Sequence, residues 1–269
     1  MNNELYAFTL TVVAGLATGI GSLIAFFPGS DNRKFMSVSL GFSAGVMIYV
    51  SMIEIFVEAK EALSNLFGEK TGTLVTNLAF FGGMLIIGLI DKLVPNDVNP
   101  HNVEYPASHI PGDSNTFEKQ KLMRSGYFIA LAIAIHNFPE GLATFISALH
   151  APSIAIPIVA AIAIHNIPVG IAISVPIFHA TGSRKKAFLY SFASGLTEPA
   201  GALIGYLLLL PFMSDAVFGV LFAAVAGIMV FISFDELLPS ARTYGEHHLS
   251  IYGLVAGMVV MAFSLWLFV

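Results

Sequence analysis

Apolar residues run along this chain in eight blocks, each close to the roughly 20 residues that a helix needs to cross a bilayer. Their approximate limits are Leu5–Phe27, Phe35–Val57, Thr73–Val94, Ser125–Leu149, Ser153–Phe178, Ala187–Pro211, Ala216–Leu238 and Ser250–Val269. The polar links are short except for Pro95 to Arg124, which is rich in Pro, Asn, Asp and Ser and reads as a flexible loop. The pattern predicts an all-α polytopic membrane protein of eight transmembrane helices. It forms a single domain over residues 1–269, with the 95–124 loop inside it. Leu5–Phe27 has no basic segment before it and is long enough to span, so it reads as a first helix rather than a cleavable signal.

Basic residues orient these spans. With the N-terminus outside, the inner links hold Arg33, Lys34, Lys92, Lys119, Lys121, Arg124, Arg184, Lys185, Lys186 and Arg242, ten of the 12 Lys and Arg. The outer side keeps Lys60 and Lys70, flanked by Glu58, Glu61 and Glu69. Cytoplasmic loops carry the excess of basic residues, so both termini lie outside and the 95–124 loop is cytoplasmic.

Two stretches of the chain echo each other. Ala132-Ile133-Ala134-Ile135-His136-Asn137-Phe138-Pro139-Glu140-Gly141 returns as Ala161-Ile162-Ala163-Ile164-His165-Asn166-Ile167-Pro168-Val169-Gly170, at a constant offset of 29 residues. A second echo joins Ala44-Gly45 through Ser51 and Glu54 to Ala226-Gly227 through Ser233 and Glu236, at an offset of 182. Each pairs an even-numbered span with an odd one, so the partners cross in opposite directions. That is the trace of an inverted repeat, here three helices, two central helices, then three more. Such repeats hold their substrate near the midplane between halves, where both His-Asn motifs fall. Gly15/Gly19, Gly41/Gly45, Gly201/Gly205 and Gly253/Gly257 have the spacing of close helix packing, within the bundle or across a homodimer.

Composition agrees with the membrane reading. Of 269 residues, 56% are hydrophobic and 11% charged, against about 25% charged in soluble domains; the mean hydropathy is +0.81. The chain has no cysteine, which excludes disulfides, thiolate metal sites and cysteine nucleophiles. Its net charge of −5 says little about any partner, and no basic run suggests nucleic acid.

The polar residues inside these apolar spans carry the chemistry. His136 and Glu140 are four apart and share one helix face. A divalent cation bridging an imidazole and a carboxylate suits that spacing. Asn137 adds a carbonyl oxygen beside them, and His165 and Asn166 offer matching ligands. Pro139 and Pro168 remove a backbone donor each and should kink both helices, opening carbonyl oxygens to a cavity. Glu198 adds a second carboxylate in the sixth span. An ionisable group at a helix centre costs about 2.5–3.5 kcal/mol on the insertion scale, and a bound cation offsets that. The plainer reading of each carboxyl is a protonated, hydrogen-bonded group. Glu54 and Glu236, repeat mates towards opposite faces, are pathway candidates or interfacial caps, with Asp235 a weaker candidate. His101, His109, His247 and His248 fall in inner links and read as solvated.

These motifs resemble the ZIP family of zinc/iron-regulated transporters. The likeness covers essentially the whole chain, including His-Asn-Phe-Pro-Glu-Gly in the fourth span and Ser-x-Asp-Glu-Leu-x-Pro in the seventh. It implies a non-enzymatic carrier, of elevator or rocking type, that takes divalent metal into the cytoplasm across the cell membrane. Zn²⁺ leads, with Fe²⁺ and Mn²⁺ open to the same mixture of ligands, and there is no prosthetic group. It further implies a first metal position at Glu140 and His165, with His136 close by, and a second at Asn137, Glu140, Asn166 and Glu198. One departure stands out. The family's fifth-span motif usually carries a glutamate that bridges both metals, where this chain has Val169. Either the site takes one metal with altered selectivity, or this is an impaired or engineered form.

A haem-binding electron carrier with His136 and His165 as axial ligands is the competing class, and the adjacent carboxylates argue against it. An intramembrane metalloprotease expects His-Glu-x-x-His on one helix, which His136-Asn137-Phe138-Pro139-Glu140 lacks.

Overall fold

The computed structural model describes residues 3–24, 26, 32–93, 134, 137, 138, 140–142, 144–149, 152–209, 212, 214–244 and 247–268. Among these residues all regular structure is helical. In chain order the helices are α1 (Asn3–Ile24), α2 (Arg33–Phe67), α3 (Glu69–Leu93), α4 (Glu140–Leu149), α5 (Pro152–Thr181), α6 (Arg184–Gly195), α7 (Thr197–Leu209), α8 (215–244) and α9 (His247–Phe268).

Local chemistry sets the ends. The Asn32 side chain accepts the Lys34 N–H at 2.9 Å and opens α2, while Ser183 and Ser214 cap α6 and α8 in the same way. Gly68 (φ 81°) and Gly182 (φ 66°) supply the left-handed residues that end α2 and α5.

Six of the described helices are long and apolar enough to cross a membrane. They match the first, second, third, fifth, seventh and eighth expected spans. Most of the fourth span, with the kink expected at Pro139, and the Pro95–Arg124 loop with His101 and His109 lie outside the described residues. Some expectations need correction. The second span does not end at Val57: no breaker intervenes before Gly68, and Ala59 and Leu63 bury the inner face of the extension. The sixth span is two helices that break at Leu196, because Pro199 cannot donate to the Gly195 carbonyl. The fifth span, by contrast, stays helical through Pro168. His247 and His248 open α9 rather than lying in a loop.

The helices sort into two groups. In one, α1 lies along α5 and crosses α6 and α7, and α4 packs on α7. In the other, α2 lies along α9, and α3 packs on α8 and on the outer part of α2. Glycines interlock each group. A Cβ at Gly21 would overlap the Ile167 backbone, one at Gly141 the Glu198 backbone, and one at Gly45 the Leu254 backbone. Every described glycine with a close neighbour on another helix finds it inside its own group. The small-residue pairs noted in the sequence therefore work within the bundle. Between the groups, α2 meets α5. Exposed Leu78, Leu85 and Leu89 on α3 and Val259, Phe263 and Trp266 on α9 form the apolar outside that a bilayer would solvate.

Candidate functional site

Five of the six expected ligands are described, and all five are buried: Asn137, Glu140, His165, Asn166 and Glu198 expose at most 1% of their surface. His136 lies outside the described residues. The break between α6 and α7 is what presents Glu198, which sits in the first turn of α7 just before Pro199. At the same break the Ser194 carbonyl accepts Thr197 Oγ1 at 2.6 Å and Asn137 Nδ2 at 3.2 Å. On the opposite side Asn166 Nδ2 donates to the Ala14 carbonyl at 3.1 Å and to Glu198 Oε1. His165 Nε2 lies 3.1 Å from Glu140 Oε1. Glu140 and Glu198 are close enough for their charges to interact.

This geometry fixes both amides. An NH₂ group must face a carbonyl acceptor, since flipping either side chain would set two oxygens against each other. Asn137 Oδ1 and Asn166 Oδ1 therefore point away from those anchors. Both are buried without a protein partner, and so is Glu198 Oε2. Buried oxygen atoms left this way cost roughly 1–3 kcal/mol each. A group of unsatisfied acceptors beside two carboxyl groups and an imidazole suits a cation and rejects an anion. Among the described residues, however, no three of His, Asp and Glu by themselves form a metal-holding cluster. The convergence depends on the two carboxamides.

Helix α1 is the part that sequence reasoning missed. Its Ala14 carbonyl orients Asn166 as the Ser194 carbonyl orients Asn137. Ala14 and Ser194 stand 180 residues apart, as do Gly15 and Gly195, which face each other, and Gly21 and Gly201. Gly21 packs on Ile167 and Gly201 on Phe138; Gly170 packs on Thr18 and Gly141 on Glu198. The contacts thus recur in pairs. A search for a third echo at this offset would have found α1. In this pairing Glu198 answers to Thr18, whose hydroxyl is buried and unpartnered, and Glu140 answers to Val169, which is buried in the core.

The pathway candidates lie in matching places. Glu54 falls in a π-helical turn at Ser51–Ile55, and Asp235 and Glu236 fall in one at Ser233–Leu237. Ser51 Oγ donates to the Met47 carbonyl at 2.6 Å and Ser233 Oγ to the Met229 carbonyl at 2.7 Å, again 182 residues apart. Such turns recur at functional positions. Asp91, at the end of α3, joins Asp235 as a charged neighbour of Glu236; nothing in its local sequence marked it. Glu54 instead faces Glu58.

Residues 95–265 match the family model described as ZIP Zinc transporter. The chain is 62% identical to the zinc transporter ZupT of Clostridium perfringens, an alignment covering 100% of this chain and 98% of that protein. It is 60% identical to ZupT of Streptococcus mutans, with 100% of each chain covered. Against ZupT of Corynebacterium glutamicum it is 55% identical over 98% of this chain and 100% of the other.

Proposed function

Because the chain belongs to the ZIP zinc transporter family, we propose that it carries divalent metal, Zn²⁺ before Fe²⁺ or Mn²⁺, into the cytoplasm through the buried site between α4, α5 and α7. The observation that carries this reading is the set of buried, unpartnered oxygens of Asn137, Asn166 and Glu198 beside the Glu140–His165 pair. In this reading Glu140, His165, Asn137, Asn166 and Glu198 replace the hydration shell of the cation, with His136 completing the set. Val169 donates nothing, so the site takes one metal per protomer. The haem alternative loses its footing, since His165 Nε2, the nitrogen that an iron would need, is turned to a carboxylate.

The rest of the proposal concerns the whole chain. It is one domain of eight spans in a three-two-three inverted repeat, in the cell membrane, with both termini outside and the 95–124 loop cytoplasmic. The paired glycine contacts and the two matching π turns support the repeat. Glu54 on one side, and Glu236 with Asp235 on the other, line the approaches. The group of α1, α4, α5, α6 and α7 moves the site against the group of α2, α3, α8 and α9. A homodimer is compatible with this arrangement. The test is uptake of radiolabelled zinc into proteoliposomes of the purified protein, competed by Fe²⁺ and Mn²⁺. Saturable zinc uptake with weaker competition by the other two is expected. No uptake above empty vesicles, or a Soret band in the purified protein, contradicts the proposal.

A further inference from the structure

The boundary between the two helix groups differs from the packing inside them. Among the described residues no glycine interlocks it. On the α2 side, the helix face containing Ser43 also carries Met36, Leu40 and Met47 by their spacing of three and four, all at most 1% exposed. Methionine is unbranched and adapts to a changing partner, so this face tolerates displacement better than interdigitated backbones would. A polar contact crosses here: Ser43 Oγ donates to the His165 carbonyl at 3.1 Å. The acceptor belongs to the residue whose ring faces Glu140.

The repeat gives this bond a direction. Ser43 aligns with Val225 at the offset of 182, and His165 aligns with His136 at 29. If the carrier passes to the opposite pose, the equivalent contact would be made by position 225 of α8 on the His136 carbonyl. Valine has no hydroxyl to make it. We propose that the Ser43–His165 bond is a one-sided latch, a positioning contact that biases the two groups towards the pose seen here. This rests on the two-group carrier reading above.

The chain has no cysteine, so nitroxide labels on Lys34→Cys of α2 and Lys185→Cys of α6, both exposed, report the distance between groups by pulsed electron resonance in lipid nanodiscs. Two distance populations are expected. Ser43→Ala should shift their ratio about fivefold away from the distance of this structure, the effect of one neutral hydrogen bond. Val225→Thr, near-isosteric and on another helix, should shift it in the same direction by supplying the missing bond. A merely structural role for Ser43 predicts no such effect at position 225. Unchanged ratios in both variants, or a shift of the opposite sign in Val225→Thr, overturn the latch. A single fixed distance in every sample with zinc uptake intact overturns the two-group reading, and the latch with it.

Discussion

At the scale of single residues the site is a contest between the cost of burial and the gain from a ligand. Glu198 spends one oxygen on Asn166 and has none of its neighbours on the other, a state that a cation relieves. In the proposed site, Val169 decides how many cations are held. Two divalent ions a few ångströms apart repel strongly at low dielectric, and the residue that answers to Glu140 across the pairing is apolar and buried. Calorimetry with zinc should therefore give one central metal per protomer. Val169→Glu should raise this towards two and alter selectivity; two metals in the unaltered protein would mean that another residue bridges them. Asn166→Leu, similar in size without the amide, removes an oxygen donor and the hydrogen bond to Glu198. It should weaken zinc binding by at least tenfold, measured by the same titration.

At the scale of elements the backbone contacts set tolerance. Gly141 and Gly170 each meet another helix's backbone where a Cβ would sit, whereas nothing lies within 4 Å of that position at Gly82. Gly141→Ala and Gly170→Ala should each lower the melting temperature in detergent by several degrees, the effect of about 1–3 kcal/mol of overpacking. Gly82→Ala should leave it unchanged or raise it slightly. Equal stability of all three variants would discount the interlock. Much of this was legible in the chain. The apolar blocks locate the six long helices, because burial in a bilayer needs little more than length and composition. The 29-residue echo marks the asparagines and Glu140. The break at Leu196 was legible in Pro199 but was overridden by the unbroken apolar run around it. The part of Ala14 was not legible, since it contributes only a main-chain carbonyl and any residue supplies one. Asp91 meets Glu236 only through the packing of α3 on α8.

At the scale of the whole molecule, two interlocked helix groups meet along a soft boundary with the site beside it. In the proposed carrier, that arrangement would let a buried cation change sides without the chain unfolding around it. The proposed orientation rests on the basic residues, and the lack of cysteine makes it measurable. A maleimide label that cannot cross the membrane should react in intact cells with Lys70→Cys, at the exposed start of α3, and not with Lys185→Cys; the reverse pattern inverts the topology. The most direct test of the central claim is the initial rate of radiolabelled zinc uptake by proteoliposomes containing Glu140→Gln, set beside the unaltered protein at equal reconstituted amounts and matched helical content. Glutamine keeps the shape and removes the charge that faces His165 Nε2. The account predicts that saturable uptake falls to the level of empty vesicles. Uptake by the variant with unchanged rate and half-saturation would mean that zinc does not pass through this site.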